Sequence, residues 1–545
     1  MKTKLQVLAI SLIINYYSFG QSGCVAGTGQ FNAVMNNYQA HFLTDNDMFW
    51  DFAAGASRTY IPYKDSISPI FAGSVWMGGY INGSLRVAAM TYRQNGVDCW
   101  PGPIDTTNLS TSVSDCNLFD TFFPIRKTQV DSQKNLLYSV ATLPAAISNW
   151  PGNGIAGANT SYKLAPYVDL NHDGKYDPLY GDYPIMYGDF SIYQINNDNS
   201  NSHKESGSVG AMGLETHVTN YVIDCNNDSA LWNTLFMHYE VINRSNNIYT
   251  NFLFTMWSDF DLGYYNDDYV GCDTSLNMYY VYNGDGYDQD NAGTKGYHQY
   301  LPAFAGVFLN QKMSRFTYYN NSGSQKNGNP TGTAQGYPYY YLMDGLWEDG
   351  TNMTYGNSGI TAGGIACQYL YPGDPVANTG WTEANAGHAP GDRRGLGTCG
   401  PFTFNPHDTL KVDFAYVFAR DYQDSGNNVA CITKLRQYVQ SIQGYYNSNT
   451  TPCGSGFSSG IKQVKGNGSL LASIYPNPSN GSFTIETNSD AKQTLTIFDV
   501  NGKIVLTQTI NGKATVDAAN LSAGIYNINI VGNEGVVNKK VVIVK

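Results

Sequence analysis

Short runs of alternating apolar and polar residues recur along most of the chain, and this pattern predicts β-strands rather than helices. Clear examples are the segments 235–242, 251–258 and 410–419. Alternation also surrounds Asn82-Gly83, a residue pair typical of tight hairpin turns. We therefore expect a mainly β fold whose body is a large β-sandwich-type unit, or two such units packed together.

One exception to the β pattern lies near residues 430–443. Its apolar residues recur at helical spacing and share one face: Ile432, Leu435, Val439 and Ile442. Such a stripe predicts an amphipathic helix that packs against the sheets.

The end of the chain carries the most regular strand pattern. Strand-like runs alternate with turn signals such as Asn501-Gly502, which predicts about seven short strands in a small Ig-like sandwich. Its motifs follow one another in a characteristic order and comprise Tyr475, Pro476, Asn477, Pro478, Gly481, Leu521, Gly524, Tyr526, Lys539 and Lys540. This order resembles the type A carboxy-terminal sorting domain of type IX secretion substrates in Bacteroidota. It implies passage through the type IX machinery, removal of the tail, and then release or attachment to surface lipopolysaccharide.

The beginning of the chain has the layout of a secretory signal peptide. Lys2 and Lys4 precede an apolar run that is too short to span a membrane, and a cleavage site fits before Gln21. A rival interpretation is a lipobox that would acylate Cys24, although Gln21 stands where such boxes have an aliphatic residue. The predicted organisation is a signal peptide at 1–20, a body at 21–453, a linker at 454–468 and a sorting domain at 469–545.

Several phrases of the body also resemble a group of secreted Bacteroidota proteins that carry the same tail. They include the segments 75–79, 91–94, 267–273, 391–394 and 400–404. This resemblance supports the prediction of export, and it gives no information about a biochemical activity.

The amino-acid composition limits the classes of partner that the protein can bind. Only 14% of the 545 residues are charged and the net charge is −12, which disfavours nucleic acid, whose phosphates need Lys and Arg. No stretch after the signal peptide has the length and apolarity of a transmembrane helix. We expect a secreted or outer-membrane-surface protein that reaches its destination through the periplasm.

Nine cysteines in an exported chain favour disulfides, and the absence of CxxC pairs disfavours zinc sites. Pairing neighbours in sequence gives Cys99–Cys116, Cys225–Cys272, Cys367–Cys399 and Cys431–Cys453, with Cys24 left over. Sequence alone does not fix this connectivity.

The best local motif for a cofactor is an oxygen-rich loop with a glycine at its sharp turn. Such a loop can wrap a calcium ion through side-chain oxygens and one backbone carbonyl, although Tyr180 replaces the usual bidentate Glu. An Asx-rich turn without metal is the alternative. The candidate ligands are Asp169, Asn171, Asp173, Lys175 through its carbonyl, and Asp177.

A second acidic cluster follows the predicted strand 251–258. Its candidate calcium ligands are Asp259, Asp261, Asp267 and Asp268. Paired carboxylates that hydrolyse a glycosidic bond are the catalytic alternative, and a solvated acidic loop is the third.

The acidic segment 283–290 is a weaker third candidate, and no motif of a recognised enzyme class accompanies these loops. There is no HExxH motif, no G-x-S-x-G elbow and no P-loop, and the abundant Tyr and Trp fit a core better than a sugar-binding surface. The predicted function is a non-enzymatic adhesin or ligand-binding module stabilised by Ca²⁺. A secreted glycan-active hydrolase using residues 259–273 and a purely structural surface component are the alternatives.

Overall fold

The computed structural model describes residues 23–135, 139, 142–207, 210–291, 293–321, 326–331, 336–454, 456–457, 472–499, 503–532 and 535–545. The chain divides into two compact units, Met1–Ser459 and Gly460–Lys545. The predicted signal peptide, most of the predicted linker and the turn Asn501-Gly502 lie outside the described residues.

The larger unit, the body, is built mainly of strands. They are β1 (Gln30–Met35), β2 (Tyr38–Leu43), β3 (Asp47–Met48), β4 (Trp50–Asp51), β5 (Ala56–Ser57), β6 (Ala72–Ile81), β7 (Ser84–Ala88), β8 (Trp100–Pro101), β9 (Phe123–Arg126), β10 (Tyr167–Val168), β11 (Tyr183–Pro184), β12 (Phe190–Asn197), β13 (Leu214–Val222), β14 (Thr234–Asn243), β15 (Tyr249–Phe260), β16 (Asp268–Asp273), β17 (Met278–Asn283), β18 (Pro302–Phe308), β19 (Met313–Asn320), β20 (Arg393–Phe404) and β21 (Thr409–Arg420). Its helices are α1 (Val113–Phe119), α2 (Lys127–Lys134), α3 (Ala145–Ser148), α4 (Ser229–Trp232), α5 (Tyr337–Met343) and α6 (Ala430–Ser448), with a 3-10 turn at Pro178–Tyr180.

Two large antiparallel sheets form the body. In the first, the strand order is β1-β2-β3-β6-β15-β20-β19, with β7 paired to β6. In the second, the order is β16-β17-β18-β21-β14-β13-β12-β8, with β9 beside β12. The predicted strands 235–242, 251–258 and 410–419 fall within β14, β15 and β21, and the hairpin at Asn82-Gly83 joins β6 to β7. Both turn residues have positive φ, 49° and 81°, as a primed turn requires.

The two sheets pack face to face around one aromatic-rich core. Ser258 on β15 exchanges hydrogen bonds of 2.8 Å with the hydroxyls of Tyr279 and Tyr416, which belong to the opposite sheet. The rings of Phe254 and Tyr239 likewise meet across the interface at 5.5 Å. The predicted β-sandwich is therefore confirmed, and the described part of the body forms a single sandwich rather than two.

The outer faces of both sheets are covered as well. On the second sheet lies α6, whose stripe of Ile432, Leu435, Val439 and Ile442 is buried against β18 and β21, so the predicted helix is confirmed. On the first sheet α5 packs beside the stacked rings of Trp76 and Trp257. Coverage on both faces explains why β13 is buried along its whole length instead of alternating.

The smaller unit is a sandwich of short strands, as predicted. Its strands are β22 (Ala472–Tyr475), β23 (Ser482–Thr487), β24 (Lys492–Phe498), β25 (Ile504–Asn511), β26 (Lys513–Asp517), β27 (Gly524–Gly532) and β28 (Gly535–Ile543). One sheet has the order β22-β23-β26 and the other β25-β24-β27-β28. Phe483, Leu495, Ile528 and Val541 are among the residues that fill the core between them.

The predicted disulfide pairing is wrong. The bonds join Cys24 to Cys116 and Cys225 to Cys453, while Cys99, Cys272, Cys367, Cys399 and Cys431 are free thiols. Cys431 lies in the first turn of α6, whereas Cys453 follows the last. The helix between them is roughly 25 Å long at 1.5 Å per residue.

Sheet order separates a second predicted pair in the same way. Cys225 follows β13 and Cys272 lies on β16, five strand positions away, or roughly 24 Å at the usual spacing between strands. Neighbours in sequence are thus far apart in space, and the bonds connect segments that meet only in the folded sandwich.

We expect alkylation to distinguish the two connectivities directly. All nine cysteines lie in the described residues. Iodoacetamide in denaturant without reductant should label five thiols, Cys99, Cys272, Cys367, Cys399 and Cys431, as counted by mass spectrometry. Labelling of Cys24 alone would contradict the two bonds of the structure and agree with the pairing of sequence neighbours.

Candidate functional site

Three carboxylates meet where β15 and β20 run side by side. The antiparallel register pairs Asp259 with Arg394 and Phe260 with Arg393, so the residue after β15 faces the residue before β20. Asp261 and Asp392 occupy those two positions, and Asp259 lies on the same side of the strand as Asp261. Ligand oxygens of Asp259, Asp261 and Asp392 all lie within 4.8 Å of one another. We call these three residues the acidic triad.

A guanidinium and a phenol hold the buried member of the triad. Asp259 is only 2% exposed, and its Oδ2 accepts a hydrogen bond of 2.6 Å from the hydroxyl of Tyr92. Arg394 places Nε 2.9 Å from Asp259 Oδ1, an ion pair without the alignment of a hydrogen bond, and it also binds Asp392. Two of the three carboxylates, those of Asp259 and Asp392, therefore share one guanidinium.

Burial dominates the electrostatics of the triad. It raises the pKa of Asp259 to about 7, and the Arg394 charge offsets only part of that effect. Burial, followed by repulsion from Asp259 and Asp392, raises the pKa of Asp261 well above its ordinary value. Close carboxylates behave in this way when no cation or shared proton relieves their repulsion.

Asp267 and Asp268, predicted to act with Asp259 and Asp261, lie in a neighbouring group at the start of β16. Asp268 Oδ2 accepts a hydrogen bond of 3.1 Å from the backbone amide of Leu262. Among the residues that the structure describes, no donor meets either oxygen of Asp267 in hydrogen-bonding geometry, although the amide of Asn283 lowers its pKa. Burial still raises the pKa of Asp267 to about 7.

The loop of the first predicted calcium site is closed by its own hydrogen bonds. Asp169 Oδ2 accepts from Gly174 N at 2.9 Å, Asn171 Oδ1 from Asp173 N at 3.1 Å, and Asp173 Oδ1 from Lys175 N at 2.8 Å. Asp177 Oδ1 caps the following 3-10 turn through Leu179 N.

Asp182, the fourth acidic residue of this region, already accepts hydrogen bonds from the backbone. Both oxygens of Asp182 accept backbone N–H groups, from Leu170 and Asp177. Asp169 Oδ1 is buried without a hydrogen-bond partner, and it is the oxygen that a bound cation could take. In the part of the chain that the structure describes, only the acidic triad brings three acidic, His or Cys ligands within 4.8 Å.

Two histidines, His203 and His238, lie in buried ionic networks. His203 is within 2.7 Å of Val87 O through Nδ1 and within 2.6 Å of Asp198 O through Nε2. His238 lies between Asp413 Oδ1 at 2.6 Å and Glu240 Oε1 at 3.3 Å. Because every one of these ring nitrogens faces an acceptor, both imidazoles are held in the doubly protonated form.

A cleft of about 660 Å³ opens on the body away from the acidic triad. One wall comes from Arg315 on β19, and the remaining lining comes from the long connection between β19 and β20. Asp344, Asn352, Tyr355, Gln368 and Tyr369 are its polar and aromatic members.

In the smaller unit the residues of the predicted sorting signal lie close together. Asn477 bonds the last strand twice, donating to Lys540 O at 2.8 Å and accepting from Val542 N at 2.9 Å. Tyr475, Lys539 and Lys540 are exposed beside this contact. The motifs before β23 and in β28 thus form one surface although more than sixty residues separate them.

Three other residues of that signal have structural roles. Gly481 has a φ of 112°, and a Cβ there would lie 3.1 Å from Ala519 Cα, so the position requires glycine. The Tyr526 hydroxyl donates to Ser522 O at 2.9 Å, and Leu521 packs against the core. Pro476 and Pro478 both follow cis peptide bonds, and Gly524 begins β27.

Comparison with known proteins identifies the smaller unit. Residues 473–544 match the family model of the secretion system C-terminal sorting domain. The recognition of a type IX sorting tail is therefore confirmed, and the chain is exported to the cell surface or secreted. No curated protein matches the chain. The described helices include none with the length and apolarity to cross a membrane.

Two solved structures show similarity to parts of the chain. A DUF3244 family protein with an immunoglobulin-like β-sandwich fold from Bacteroides vulgatus has 21% identity and a TM-score of 0.12, covering 13% of this chain and 91% of its own. A polysaccharide lyase has 9% identity and a TM-score of 0.19, covering 61% of this chain and 34% of its own.

The two buried histidines predict a loss of stability in mildly alkaline solution. Burial opposes the charge of His203, but Asp98 and Asp198 outweigh it and raise its pKa to about 9. Asp413 and Glu240 likewise outweigh burial and raise the pKa of His238 to about 9. A raised folded-state pKa stabilises the protein fully below the unfolded value of about 6.5, and this stability is lost as the pH rises through 9.

Urea unfolding between pH 7 and 9 measures this effect. The free energy of unfolding should fall by up to about 1.4 kcal/mol per pH unit for each histidine. His238→Gln should remove about half of the slope. A slope that is the same in the parent and in His238→Gln would show that this imidazole is neutral in the folded protein.

Proposed function

We propose that the body is a non-enzymatic ligand-binding module, an adhesin of the cell surface or the medium, stabilised by a calcium ion at the acidic triad. The observation that carries the calcium site is the convergence of three carboxylates within 4.8 Å. Ca²⁺ binds oxygens at 2.3–2.6 Å, so two ligands of one ion lie at most about 5 Å apart. The three side chains therefore fit around one ion without a change of backbone.

The charge balance supports the same ion. Three carboxylates and Arg394 leave a net charge of −2 if all of them are ionised, and one Ca²⁺ neutralises it. Within the described residues, Asp259 Oδ1 accepts no hydrogen bond and no donor reaches the Asp261 carboxylate, so both side chains have oxygens that can coordinate an ion. Asp268 is close enough to Asp261 to add to the negative potential of the site.

The acids are poorly arranged for the alternative, a glycan-active hydrolase. Glycosidases hold their two carboxyl groups about 5–9.5 Å apart with the scissile bond between them. Asp259 is almost fully buried and paired with Arg394, and none of the triad lines the 660 Å³ cleft. A saccharide would have to reach the buried carboxylate of Asp259, whereas a single cation needs far less space.

The loop with Asp169, Asn171, Asp173, Lys175 and Asp177 is a second candidate calcium site. What supports it is the unpartnered oxygen of Asp169 at the centre of a loop of oxygen ligands. Its internal Asx hydrogen bonds hold the turn in shape without metal, so we expect its contribution to stability to be smaller than that of the triad.

The sorting domain implies contact with the type IX secretion machinery. We infer that the surface around Asn477, Lys539 and Lys540 is what the machinery reads, and that the body is afterwards released or attached to surface lipopolysaccharide. The exposure of both lysines next to the Asn477 contact supports this role.

We expect calcium to raise the melting temperature of the full chain by on the order of 5 °C relative to EDTA, because an ion that binds only the folded state stabilises it by mass action. Asp261→Asn should abolish most of that difference in a calorimetric melt. Asp173→Ala should reduce it by a smaller amount.

Asp131→Asn is the matched control, since Asp131 is an exposed acid with surface partners Lys127 and Lys134 only. It should leave the calcium effect unchanged. Equal melting temperatures of the parent in calcium and in EDTA would remove the calcium proposal for both sites.

A charge reversal tests the sorting surface. In a host with the type IX machinery, Lys539→Glu with Lys540→Glu should leave the chain in the periplasm, as measured by immunoblots of periplasm, cell surface and medium. Lys492→Glu with Lys503→Glu changes the charge of the same unit equally at exposed positions outside the motif and should be exported normally. Equal export of the two double variants would contradict the assignment of the two C-terminal lysines.

A further inference from the structure

The cleft of the body belongs to an unusually long connection. β19 and β20 are antiparallel neighbours, with Asn320 opposite Arg393, so two to five residues would be enough to join them. Residues 321–392 intervene instead, with little regular structure beyond α5 among those described. Loops of such length on a rigid scaffold are typically functional. All the cleft-lining residues except Arg315 come from this insertion.

The polar side of the cleft is formed by Arg315 and Asp344, whose side chains hold each other in place and whose opposite charges cancel. Arg315 Nε lies 3.0 Å from both the backbone oxygen and Oδ1 of Asp344, and Nη2 lies 2.9 Å from the same Oδ1. Nη1 donates to Ser314 Oγ at 2.9 Å and to Gly400 O at 3.3 Å. The pair presents planar hydrogen-bonding groups in a fixed orientation, and it leaves no net charge to attract an anion.

Two neutral amides complete this polar side. Asn352 and Gln368 line the cleft and are exposed. Each amide offers two N–H donors and an acceptor oxygen in one plane, a set that matches adjacent hydroxyl groups on a ring.

The other side of the cleft presents an aromatic ring. Tyr355 is 52% exposed, although large aromatic side chains are normally buried in this body. Its ring packs at 61° and 5.0 Å against the buried Trp381, whose indole N–H donates to Asn357 O at 3.0 Å. Trp381 in turn contacts Tyr371 at 5.1 Å. The exposed ring is therefore supported from behind by the core.

We propose that this cleft binds a neutral saccharide, with a sugar ring against Tyr355 and its hydroxyls bonded by Asp344, Arg315, Asn352 and Gln368. An aromatic face covers the C–H side of a sugar, while planar polar groups satisfy its hydroxyls, and the volume falls within the 300–1,000 Å³ typical of small-molecule sites. Paired Arg315 disfavours an anionic ligand, and the polar rim disfavours a purely apolar one. The proposal rests on the proposed ligand-binding function and names its ligand class.

Isothermal titration calorimetry of the full chain tests the assignment. The probes are linear cello-, malto-, xylo- and manno-oligosaccharides of about four to six units, with oligogalacturonate as the anionic probe and a casein digest as the peptide probe. At least one neutral probe should bind, and Tyr355→Ala should weaken that binding tenfold or more. Gln368→Ala should weaken it by a smaller factor.

Tyr162→Ala is the matched control, because Tyr162 is 74% exposed and lies outside the cleft lining. It should bind as the parent does. Failure of all neutral probes, binding that survives both Tyr355→Ala and Gln368→Ala, or binding of only the anionic or peptide probe would each overturn the saccharide assignment. Melts with calcium and EDTA on the same samples report separately on the calcium site.

Discussion

β20 lies between β15 and β19, and its pairing with these two strands positions both candidate sites. The register with β15 sets Asp259 beside Arg394 and brings Asp392 up to Asp261. The register with β19 returns the chain to the sheet after the insertion of residues 321–392, which forms the cleft. Each site thus depends on backbone hydrogen bonds within a sheet that is covered on both faces.

Burial at that position makes the acidic triad costly. A carboxylate removed from water is stable only when paired, hydrogen-bonded or neutralised. Asp259 has Tyr92 and Arg394, but the single guanidinium is shared with Asp392, and within the described residues no side-chain hydrogen bond reaches Asp261. Burial, reinforced by repulsion between the carboxylates, raises the pKa values of Asp259 and Asp261, and the single guanidinium offsets this rise only in part. A divalent cation supplies what the chain lacks there, and that is the physical basis of the calcium proposal.

Sequence patterns correctly predicted those strands, turns and helices whose conformation depends on residues close together in the chain. Alternation placed β14, β15 and β21, the turn propensity of Asn82-Gly83 placed a hairpin, and helical spacing placed α6. The tail was recognisable because its motifs follow one another in a short segment. In each case the determining residues are close in sequence.

Features that depend on strand order could not be predicted in this way. Asp392 is more than a hundred residues from Asp261, and nothing in its own surroundings marks it as a partner. The bonds Cys24–Cys116 and Cys225–Cys453 close loops with sequence separations of 92 and 228, which a preference for neighbours excludes from the start. His203 could not be recognised from the sequence, because Val87 and Asp98, which contact its ring together with the nearby Asp198, lie more than a hundred residues before it.

The aromatic content of the chain is informative only when burial is known. Each of five tryptophans is at most 5% exposed and so offers no surface on which a sugar could stack: Trp50, Trp76, Trp100, Trp347 and Trp381. They build the core and the layers on either side of it, as aromatic residues in β proteins usually do. Exposure combined with a position in the cleft lining selects Tyr355 instead, which the sequence does not distinguish from the other 42 tyrosines. Trp381 joins the two roles: its own ring is buried, and by packing beneath Tyr355 it holds an aromatic surface rigidly at the wall of the cleft. A ring that is ordered before binding loses less conformational entropy when a ligand stacks on it, so the core itself contributes to recognition at the surface.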